Sequence, residues 1–306
     1  MKDIIVVGSL NMDLVMQAAK LPKLGETILC NENYKMIPGG KGANQAVAVA
    51  KLGGKSIFVG RRGNDSFGNI LADNLKKSKV ITDYITIDKN APTGMVLVML
   101  DEKGNNSILL SAGANRECCK KDVDKIKPIL AKASILVLQL EIPFETVSYA
   151  IALANKYNVP VLLDAGPARK LPNTIFKKIN IISPNETETE ALIGVKIKDI
   201  ETAKIAAKKF LKLGVKTVIL KLGGKGALLA TEKEIHYIKG VKVKAVDTTA
   251  AGDAFTGALA VAYTQGKNLQ EAVTYANYVG ALTVTKLGAQ PSIPTKEEVE
   301  IFMKKK

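Results

Sequence analysis

The loop at residues 247–253 has the composition expected of a segment that binds a migrating anion. It reads DTTAAGD and continues into AFTGALAVAYT, a run of small residues that predicts a helix. The small residues Ala250, Ala251 and Gly252 let a ligand approach the backbone, and the N–H groups of a first helical turn are free donors. Such an anion hole suits the charge that builds on a phosphoryl group during transfer. Asp253 lies beside it, where a carboxylate can accept the proton of an attacking hydroxyl.

The alternative for this loop is a purely structural aspartate. An isolated aspartate before a helix most often caps that helix, and Asp247 and Asp253 both have the residue type and the position for this role. The adjoining AAG sequence favours the anion-hole interpretation. Asp253 is therefore the candidate general base.

A second glycine-rich segment, PGGKGANQ at residues 38–45, precedes the helical sequence AVAVAKLG. Three glycines around one lysine indicate a close ligand approach or unusual backbone angles. Lys41 and Asn44 are candidates to donate to sugar hydroxyls, and the alternative is a tight turn with a helix cap. GSLNMD ends the first predicted strand, where open α/β sheets present ligand-binding groups. Asn11 and Asp13 are candidates to bind a diol.

Familiar nucleotide and metal motifs do not explain the sequence. GGKS at residues 53–56 resembles the end of a phosphate-binding P-loop, but Val49 occupies the position of the required first glycine. The tetrapeptide also follows a predicted helix, which is typical of a helix end and a turn. No dinucleotide-binding glycine fingerprint, zinc-protease motif or cysteine metal cluster is present. If ATP binds, it binds without a P-loop.

The elements that position these residues follow an α/β pattern. Near-continuous apolar runs predict strands buried on both faces, at residues 3–8, 135–140, 159–164, 179–183 and 217–222. Helical patterns lie between and after them, at residues 144–156, 186–193, 199–213, 251–265 and 269–285. This alternation predicts a mostly parallel central sheet flanked by helices.

Two early segments depart from that alternation. Residues 10–37 and 94–110 contain alternating, partly apolar strand patterns, and they predict a small accessory β-sheet that acts as a lid. Such a sheet has exposed edges and needs a partner surface, either the substrate or a second subunit. No linker divides the chain, so we expect residues 1–306 to form one main domain with this lid.

The composition limits the remaining function classes. The net charge is +15, but the lysines are scattered, tryptophan is absent and aromatic residues make up 5% of the chain. This pattern favours a solvated basic surface over nucleic-acid binding. Neither a signal peptide nor a transmembrane segment is evident, and Cys30, Cys118 and Cys119 form no disulfide framework, so we expect a cytoplasmic protein. The single histidine, His236, lies in a predicted strand, and a carboxylate is therefore the expected proton acceptor.

The motifs, taken together, resemble the ribokinase-like PfkB family of carbohydrate kinases along essentially the whole chain. They occur in the order GSLNMD (8–13), GGKGANQA (39–46), AGAN (112–115), QLE (139–141), PNETE (184–188), LGGKG (222–226), DTTAAGDAF (247–255) and GAQPSIP (288–294). The resemblance implies ATP-dependent phosphorylation of D-ribose at O5, with Mg²⁺, with K⁺ as an activator and with a homodimer formed through the lids.

The resemblance also implies a role for individual residues. The pentose would contact Asn11, Met12, Asp13, Gly39, Gly40, Lys41, Asn44, Glu141 and Asp253, the general base. ATP would contact Asn185, Lys221, Leu222, Gly223, Gly224, Lys225, Gly226, Gly252 and Asn277. The monovalent cation would lie among Asp247, Thr249, Thr283, Lys286, Gly288 and Ser292. Glu188 would act on Mg²⁺ indirectly, through water.

The sequence departs from the family pattern at three places. Lys221 stands where a hydroxyl residue is frequent, Asn277 replaces a frequent histidine, and residues 164–169 differ from the commoner asparagine-proline form, so their role stays open. The competing interpretations are a kinase of the same fold for fructose, deoxyribose or adenosine, a non-catalytic sugar or nucleotide sensor, and a nucleic-acid binder. The GD pair at residues 252–253 argues against a sensor that has lost catalysis.

Overall fold

The computed structural model describes residues 3–31, 33–102 and 105–305. In this part of the chain the strands are β1 (Asp3–Val7), β2 (Asn11–Gln17), β3 (Lys35–Gly39), β4 (Lys55–Gly63), β5 (Ile81–Asp88), β6 (Gly94–Leu100), β7 (Asn106–Ser111), β8 (Ala133–Leu138), β9 (Val161–Leu163), β10 (Ile181–Ile182), β11 (Thr217–Lys221), β12 (Gly226–Thr231) and β13 (Ile235–Lys239). The helices are α1 (Lys41–Lys51), α2 (Ser66–Lys77), α3 (Lys120–Asp124), α4 (Lys127–Leu130), α5 (Phe144–Lys156), α6 (Glu186–Ile193), α7 (Ile200–Lys212), α8 (Ala251–Thr264), α9 (Leu269–Thr283) and α10 (Lys296–Lys304).

The large sheet has nine strands in the order β13-β12-β11-β10-β9-β8-β1-β4-β5. Its strands pair in parallel except β12 and β13, which form an antiparallel edge. The apolar runs that predicted strands buried on both faces are confirmed, because Ile4 to Val7 of β1 are fully buried. Helices α1, α2, α8 and α9 pack on one face of the sheet, and α5, α6 and α7 pack on the other. The predicted α/β class is therefore correct.

The small sheet has four strands in the order β3-β2-β6-β7, and it forms from the two segments that depart from the α/β alternation. The expected strand pattern at residues 26–34 is wrong for its described part, since strand structure resumes only at Lys35. Glu26 there accepts from the main-chain N–H of Lys23 and pairs with Lys20, so this stretch closes a loop instead of joining a sheet. Glu32, Lys103 and Gly104 of the two predicted segments lie outside the described residues. The lid role of this sheet, and the single-domain organisation, stay predictions.

The predicted helices agree with the structure to within two residues at their ends, apart from the second glycine-rich segment. Residues 41–45 were expected in a turn, yet α1 already begins at Lys41. Strand β3 extends to Gly39, and Gly40 makes the whole turn with φ of +90°. Lys41 and Asn44 therefore lie in the first turn of a helix. The GGKS tetrapeptide does follow a helix end, as predicted.

Other predictions from composition concern cysteines and membranes. Cys30, Cys118 and Cys119 are free thiols. Across the described residues, no helix has both the length and the apolar character that a membrane crossing requires.

Candidate active site

The candidate residues meet at one edge of the large sheet. Polar residues follow the carboxyl ends of β1, β8, β9 and β10, and Lys221 is the last residue of β11. The N-termini of α1 and α8 point to the same region, as the contacts between Lys41, Asn44 and Asp253 show. In open parallel sheets this edge is where ligands bind. The small sheet adds Asn11 and Asp13 from the start of β2.

Asp253 is buried in the first turn of α8 and faces the first turn of α1. Its Oδ2 accepts a 2.8 Å hydrogen bond from Asn44 Nδ2. Its Oδ1 lies 3.4 Å from Lys41 Nζ and 3.4 Å from Gln45 Nε2. The N-cap of α8 is Ala250, so the capping alternative for Asp253 is wrong. The carboxylate instead faces the polar side chains that line the candidate sugar pocket.

The loop before α8 exposes backbone as the anion-hole interpretation requires. Ala250 adopts a left-handed conformation with φ of +59°, which turns the chain sharply into the helix. A methyl group added to Gly252 would meet nothing closer than Lys221 Nζ, at 3.6 Å. An anion can therefore approach the N–H groups of this first helical turn.

The candidate sugar pocket contains buried oxygens that need hydrogen-bond donors. Among the described residues, Oδ1 of Asp13 and Oδ1 of Asn44 are buried and have no partner. A Cβ on Gly39 would lie 2.4 Å from Asp13 Oδ2, so only glycine leaves the carboxylate its space. Buried acceptors are almost always satisfied in proteins, and ligand hydroxyls are suitable donors for these two.

Burial, together with the neighbouring charges of Glu141 and Asp253, raises the pKa of Asp13 to about 7. Hydrogen-bond donors stabilise the ionised form of such a carboxyl group and therefore favour its ionisation. The diol of a sugar supplies two such donors. Asp13 is therefore suited to the diol-binding role predicted from the sequence.

The other residues predicted to bind the sugar lie around the same pocket, and their contacts differ. Asn11 Oδ1 accepts from Asn115 Nδ2 at 2.7 Å, so its orientation is set by the last residue of the AGAN motif. Glu141 accepts from the main-chain N–H of Lys41 at 3.0 Å and fixes the start of α1. Met12 is fully buried in the core, which leaves only its backbone for a ligand. Gly40 lacks room for a Cβ, which would lie 2.6 Å from Leu10 Cα.

A chain of alternating charges links the two glycine-rich loops to the sheet. Asp164 Oδ1 accepts from Lys221 Nζ at 2.6 Å, and its Oδ2 accepts from Gln45 Nε2 at 2.8 Å and lies 3.9 Å from Lys41 Nζ. Burial alone lowers the pKa of Lys41, but Asp253 and the other carboxylates outweigh it and raise the value well above normal, so this lysine is charged.

Sequence reasoning did not find Gln45, and it left Asp164 without a role. Asp164 follows β9 at the carboxyl edge of the sheet, and this placement was the available signal.

The predicted nucleotide segment forms a tight turn beside this edge. A Cβ on Gly223 or Gly224 would meet no atom within 4 Å, so both glycines face open space. Gly226 adopts φ of +110°, and a Cβ there would lie 2.2 Å from the carbonyl oxygen of Ile238. Asn277 Nδ2 lies 3.3 Å from the same oxygen, so this side chain contacts the end of β13. Leu222 is buried below the turn, and Lys225 is exposed.

Asn185 and Glu188 form a reciprocal cap at the start of α6. The main-chain N–H of Glu188 donates to Asn185 Oδ1, and that of Asn185 donates to Glu188 Oε2, both at 2.8 Å. Burial and the charge of Asp164 raise the pKa of Glu188. A Cβ on Gly166 would lie 2.5 Å from Glu188 Oε1, so the free oxygen points toward the charge chain.

These carboxylates fit an indirect magnesium site. Within residues 3–31, 33–102 and 105–305, no group of three or more potential ligands could hold a metal ion. Mg²⁺ commonly keeps several waters and takes one or two carboxylates together with substrate phosphates. Glu188 is therefore the residue that would hold Mg²⁺, through water, once a polyphosphate is bound.

The predicted monovalent-cation residues lie in the loop before α8 and in the end of α9 with the loop that follows it, and Asp247 joins the two segments. Its carboxylate accepts from Thr249 N and Oγ1, and from Gly288 N at 2.9 Å. Burial raises the pKa of Asp247, but these hydrogen bonds outweigh it and lower the value. The side chains of Thr283, Lys286 and Ser292 bond elsewhere, to Val279 O, Glu298 and Ala289 O, so only their backbone can contribute to such a site.

His236 lies on the edge strand β13 and pairs with Glu234, which is consistent with its expected structural role. The strand is at the far end of the large sheet from β1 and β8. His236 therefore lies away from Asp253 and the candidate sugar pocket.

A buried carboxylate beside a helix N-terminus, at the carboxyl edge of a mostly parallel sheet and without a P-loop, defines a phosphotransferase for a small polyhydroxyl acceptor. Residues 1–296 match the pfkB family of carbohydrate kinases, and the chain belongs to this family.

Three relatives show the range of activity around this chain. A ribokinase of Haemophilus influenzae is 39% identical over 302 residues, covering 99% of this chain and 98% of the relative. The structure of Arabidopsis thaliana ribokinase complexed with ribose and ATP has a TM-score of 0.92 at 38% identity and covers 99% of both chains. A deoxyribokinase of Salmonella typhi is 35% identical over 302 residues, covering 98% of both chains.

Proposed function

We propose that the protein catalyses the ATP-dependent phosphorylation of D-ribose at O5, giving D-ribose 5-phosphate. The observation that carries this proposal is the buried Asp253 carboxylate, which lies between a helix N-terminus and a pocket of unsatisfied oxygens. The Arabidopsis relative that binds ribose and ATP supports the same pair of ligands.

The sugar is held by groups from both sheets. The Asp13 carboxylate accepts from two hydroxyls, while Asn11 and Asn44 offer further polar atoms around it. Lys41 donates from the first turn of α1, and Glu141 keeps that turn in place. These contacts bring the 5-hydroxyl to Asp253.

Asp253 then acts as the general base. As the O5 oxygen attacks the γ-phosphorus in line with the leaving ADP oxygen, the O5 proton passes to the Asp253 carboxylate. Asn44 and Lys41 orient that carboxylate. The N–H groups of the loop at residues 250–253 stabilise the charge on the migrating group, because they are fixed before the reaction begins. Bound Mg²⁺ would add charge neutralisation at the phosphates.

The nucleotide is proposed to lie along the turn at residues 222–226. The open faces of Gly223 and Gly224 accommodate it. Asn185, the N-cap of α6, is proposed to donate to its phosphates through the side-chain amide. Asn277 supports the end of β13 below this turn.

The decisive experiment replaces Asp253 with asparagine. We expect Asp253→Asn to lower kcat by ~10²–10⁴ fold, the usual contribution of a positioned base, while ribose affinity changes little. A coupled assay gives kcat, and calorimetry gives ribose affinity. Asp199→Asn, at the exposed cap of α7, is the matched control and keeps full activity. Near-normal turnover by Asp253→Asn excludes the general-base role.

The alternative acceptor is another sugar, and deoxyribose is favoured among those because of the Salmonella relative. Deoxyribose lacks one hydroxyl of the diol that Asp13 is proposed to bind. A panel of pentoses, hexoses and nucleosides in one coupled assay separates these activities. A higher kcat/KM for deoxyribose than for ribose overturns the ribose assignment.

K⁺ is proposed as an activator bound between the two segments that Asp247 joins. The support is the resemblance, together with the fixed geometry of Asp247, Thr249 and Gly288 at the foot of the anion hole. We also propose a cytoplasmic location, supported by the free thiols.

A homodimer through the small sheets is proposed from their exposed apolar surface. Ile108, Leu109 and Leu110 on the edge strand β7 are 56%, 63% and 52% exposed. Exposed apolar edge strands commonly mark pairing surfaces. Light scattering on the wild type and on Leu109→Lys tests this, and a monomeric wild type contradicts it.

A further inference from the structure

We propose that Lys221 contacts the γ-phosphoryl group of ATP during transfer, and that the buried Asp164 holds its ammonium group in place. This inference deepens the proposed function and rests on it. It adds a catalytic residue, Lys221, and a positioning residue, Asp164, to the anion hole at residues 250–253.

The location of the ammonium group is the first support. Lys221 ends β11 at the carboxyl edge of the sheet, and its main-chain N–H is fixed by Pro184 O at 2.9 Å. Its side chain is 12% exposed, and Nζ lies 3.6 Å from the position of a Cβ on Gly252. An anion bound on the N–H groups around Gly252 therefore lies within reach of Nζ.

The burial and hydrogen bonding of Asp164 are the second support for this inference. This carboxylate is fully buried, and a buried charge is stable only when it is paired and hydrogen-bonded. One oxygen takes the 2.6 Å bond from Lys221, and the other takes the bond from Gln45. Gln45 is itself held by Gln139 at 2.6 Å, so Asp164 has little freedom to move. The Lys221 ammonium has three donors, and two remain for a ligand after the bond to Asp164.

The charge balance of the site is the third support. Asp13, Glu141, Glu188, Asp164 and Asp253 all lie near the place where a polyphosphate must arrive. Among the described residues, the lysines that form ion pairs with these carboxylates are Lys41 and Lys221. Lys41 contacts Asp253 on the sugar side, whereas Lys221 lies at the anion hole, so the two cations approach the migrating group from different sides.

The test compares Lys221→Met, Asp164→Asn and the double variant with the wild type. Calorimetry measures affinity for ADP and for a non-hydrolysable ATP analogue, and a coupled assay measures kcat. For Lys221→Met we expect a loss of about 10–100-fold in kcat and in analogue affinity, typical of a charge-assisted hydrogen bond, with ADP affinity changed far less. For Asp164→Asn we expect kcat to fall while analogue affinity holds or improves, since a negative charge is removed.

The double variant separates phosphate binding from simple charge neutralisation. If Lys221 acts on the γ-phosphoryl group, Lys221→Met combined with Asp164→Asn stays impaired in kcat and in analogue affinity. Recovery of wild-type values in the double variant shows that Lys221 only neutralises Asp164, and overturns the inference. Equal losses for ADP and the analogue overturn it too. Unchanged ribose affinity and melting temperature establish that each variant is folded.

The proposed function fails separately from this inference. If the wild type makes no ribose 5-phosphate, the ribose assignment is wrong, but the comparison of ADP with the analogue still tests Lys221 because it needs no turnover.

Discussion

Ribose affinity should depend on pH through Asp13. Burial, together with the charges of Glu141 and Asp253, raises the pKa of this carboxyl group from its ordinary 3.8 to about 7 in the ligand-free protein. Sugar hydroxyls donate to the ionised form, so binding must first remove the proton whenever the pH lies below that value. We therefore expect ribose affinity to weaken by up to about tenfold for each pH unit below 7 and to level off above it.

The same shift affects the stability of the ligand-free fold, and its sign follows from linkage. An acid whose pKa is raised on folding stabilises the native state most below its unfolded value, and it loses that contribution as the pH rises through the folded value. Between pH 4 and pH 7 the loss for Asp13 is on the order of 4 kcal/mol. Asp13→Asn avoids this cost, so we expect it to be more stable than the wild type at pH 8 and to bind ribose poorly.

Calorimetric titration with ribose from pH 5.5 to 8.5, in buffers of different ionisation enthalpy, measures both the affinity and the protons released. Proton release should appear below pH 7 and vanish in Asp13→Asn. Glu141→Gln and Asp253→Asn each remove a charge that raises the Asp13 pKa, so in both variants the midpoint should move to lower pH. A flat affinity profile in the wild type, or midpoints that stay in place in both variants, would refute this reasoning.

Three further predictions concern the sugar pocket, the nucleotide side and the cation loops. Gly39→Ala should raise the KM for ribose at least ~10-fold without changing the KM for ATP, because the added methyl group would clash with the Asp13 carboxylate. Steady-state kinetics on the variant and the wild type measure both constants. Asn185→Ala removes the N-cap of α6 and should cost about 1 kcal/mol, a fall of roughly 2 °C in melting temperature by calorimetry, and an unchanged melting temperature would contradict the cap. Replacing K⁺ with Na⁺ should reduce kcat, and equal rates in the two salts would argue against a cation site beside Asp247.

Much of the large sheet could be predicted because burial on both faces leaves a direct trace in the sequence. Strands such as β1 and β11 are continuous apolar runs, and helices α5 and α6 begin and end where their patterns do. The segment at residues 26–34 misled the prediction: its alternation matches a strand, but its described part joins no sheet and contacts the end of β2 through the Asn31 N–H and Gln17 O. The alternation of apolar and polar residues within a segment cannot show whether another strand is available to pair with it.

The candidate site was partly predictable for a related reason. Asp253 and Lys41 stand out because small residues surround them, which indicates a backbone kept open for a ligand. Small residues also flank Gln45 and Asp164, but their hydrogen bond joins positions 119 residues apart. Only the folded chain brings these two side chains together, so the support beneath Lys221 could not be inferred from the sequence.

The origin of Asp13 and Gly39 in the small sheet has an evolutionary consequence. Both residues shape the diol side of the pocket, whereas the loop at residues 250–253, Lys221 and the turn at residues 222–226 belong to the large sheet and its helices. The diol side of the pocket and the phosphoryl-transfer residues thus lie on different sheets. Exchanging β2 and β3 for those of a relative should change which alcohol is accepted, while the phosphoryl-transfer residues stay unchanged.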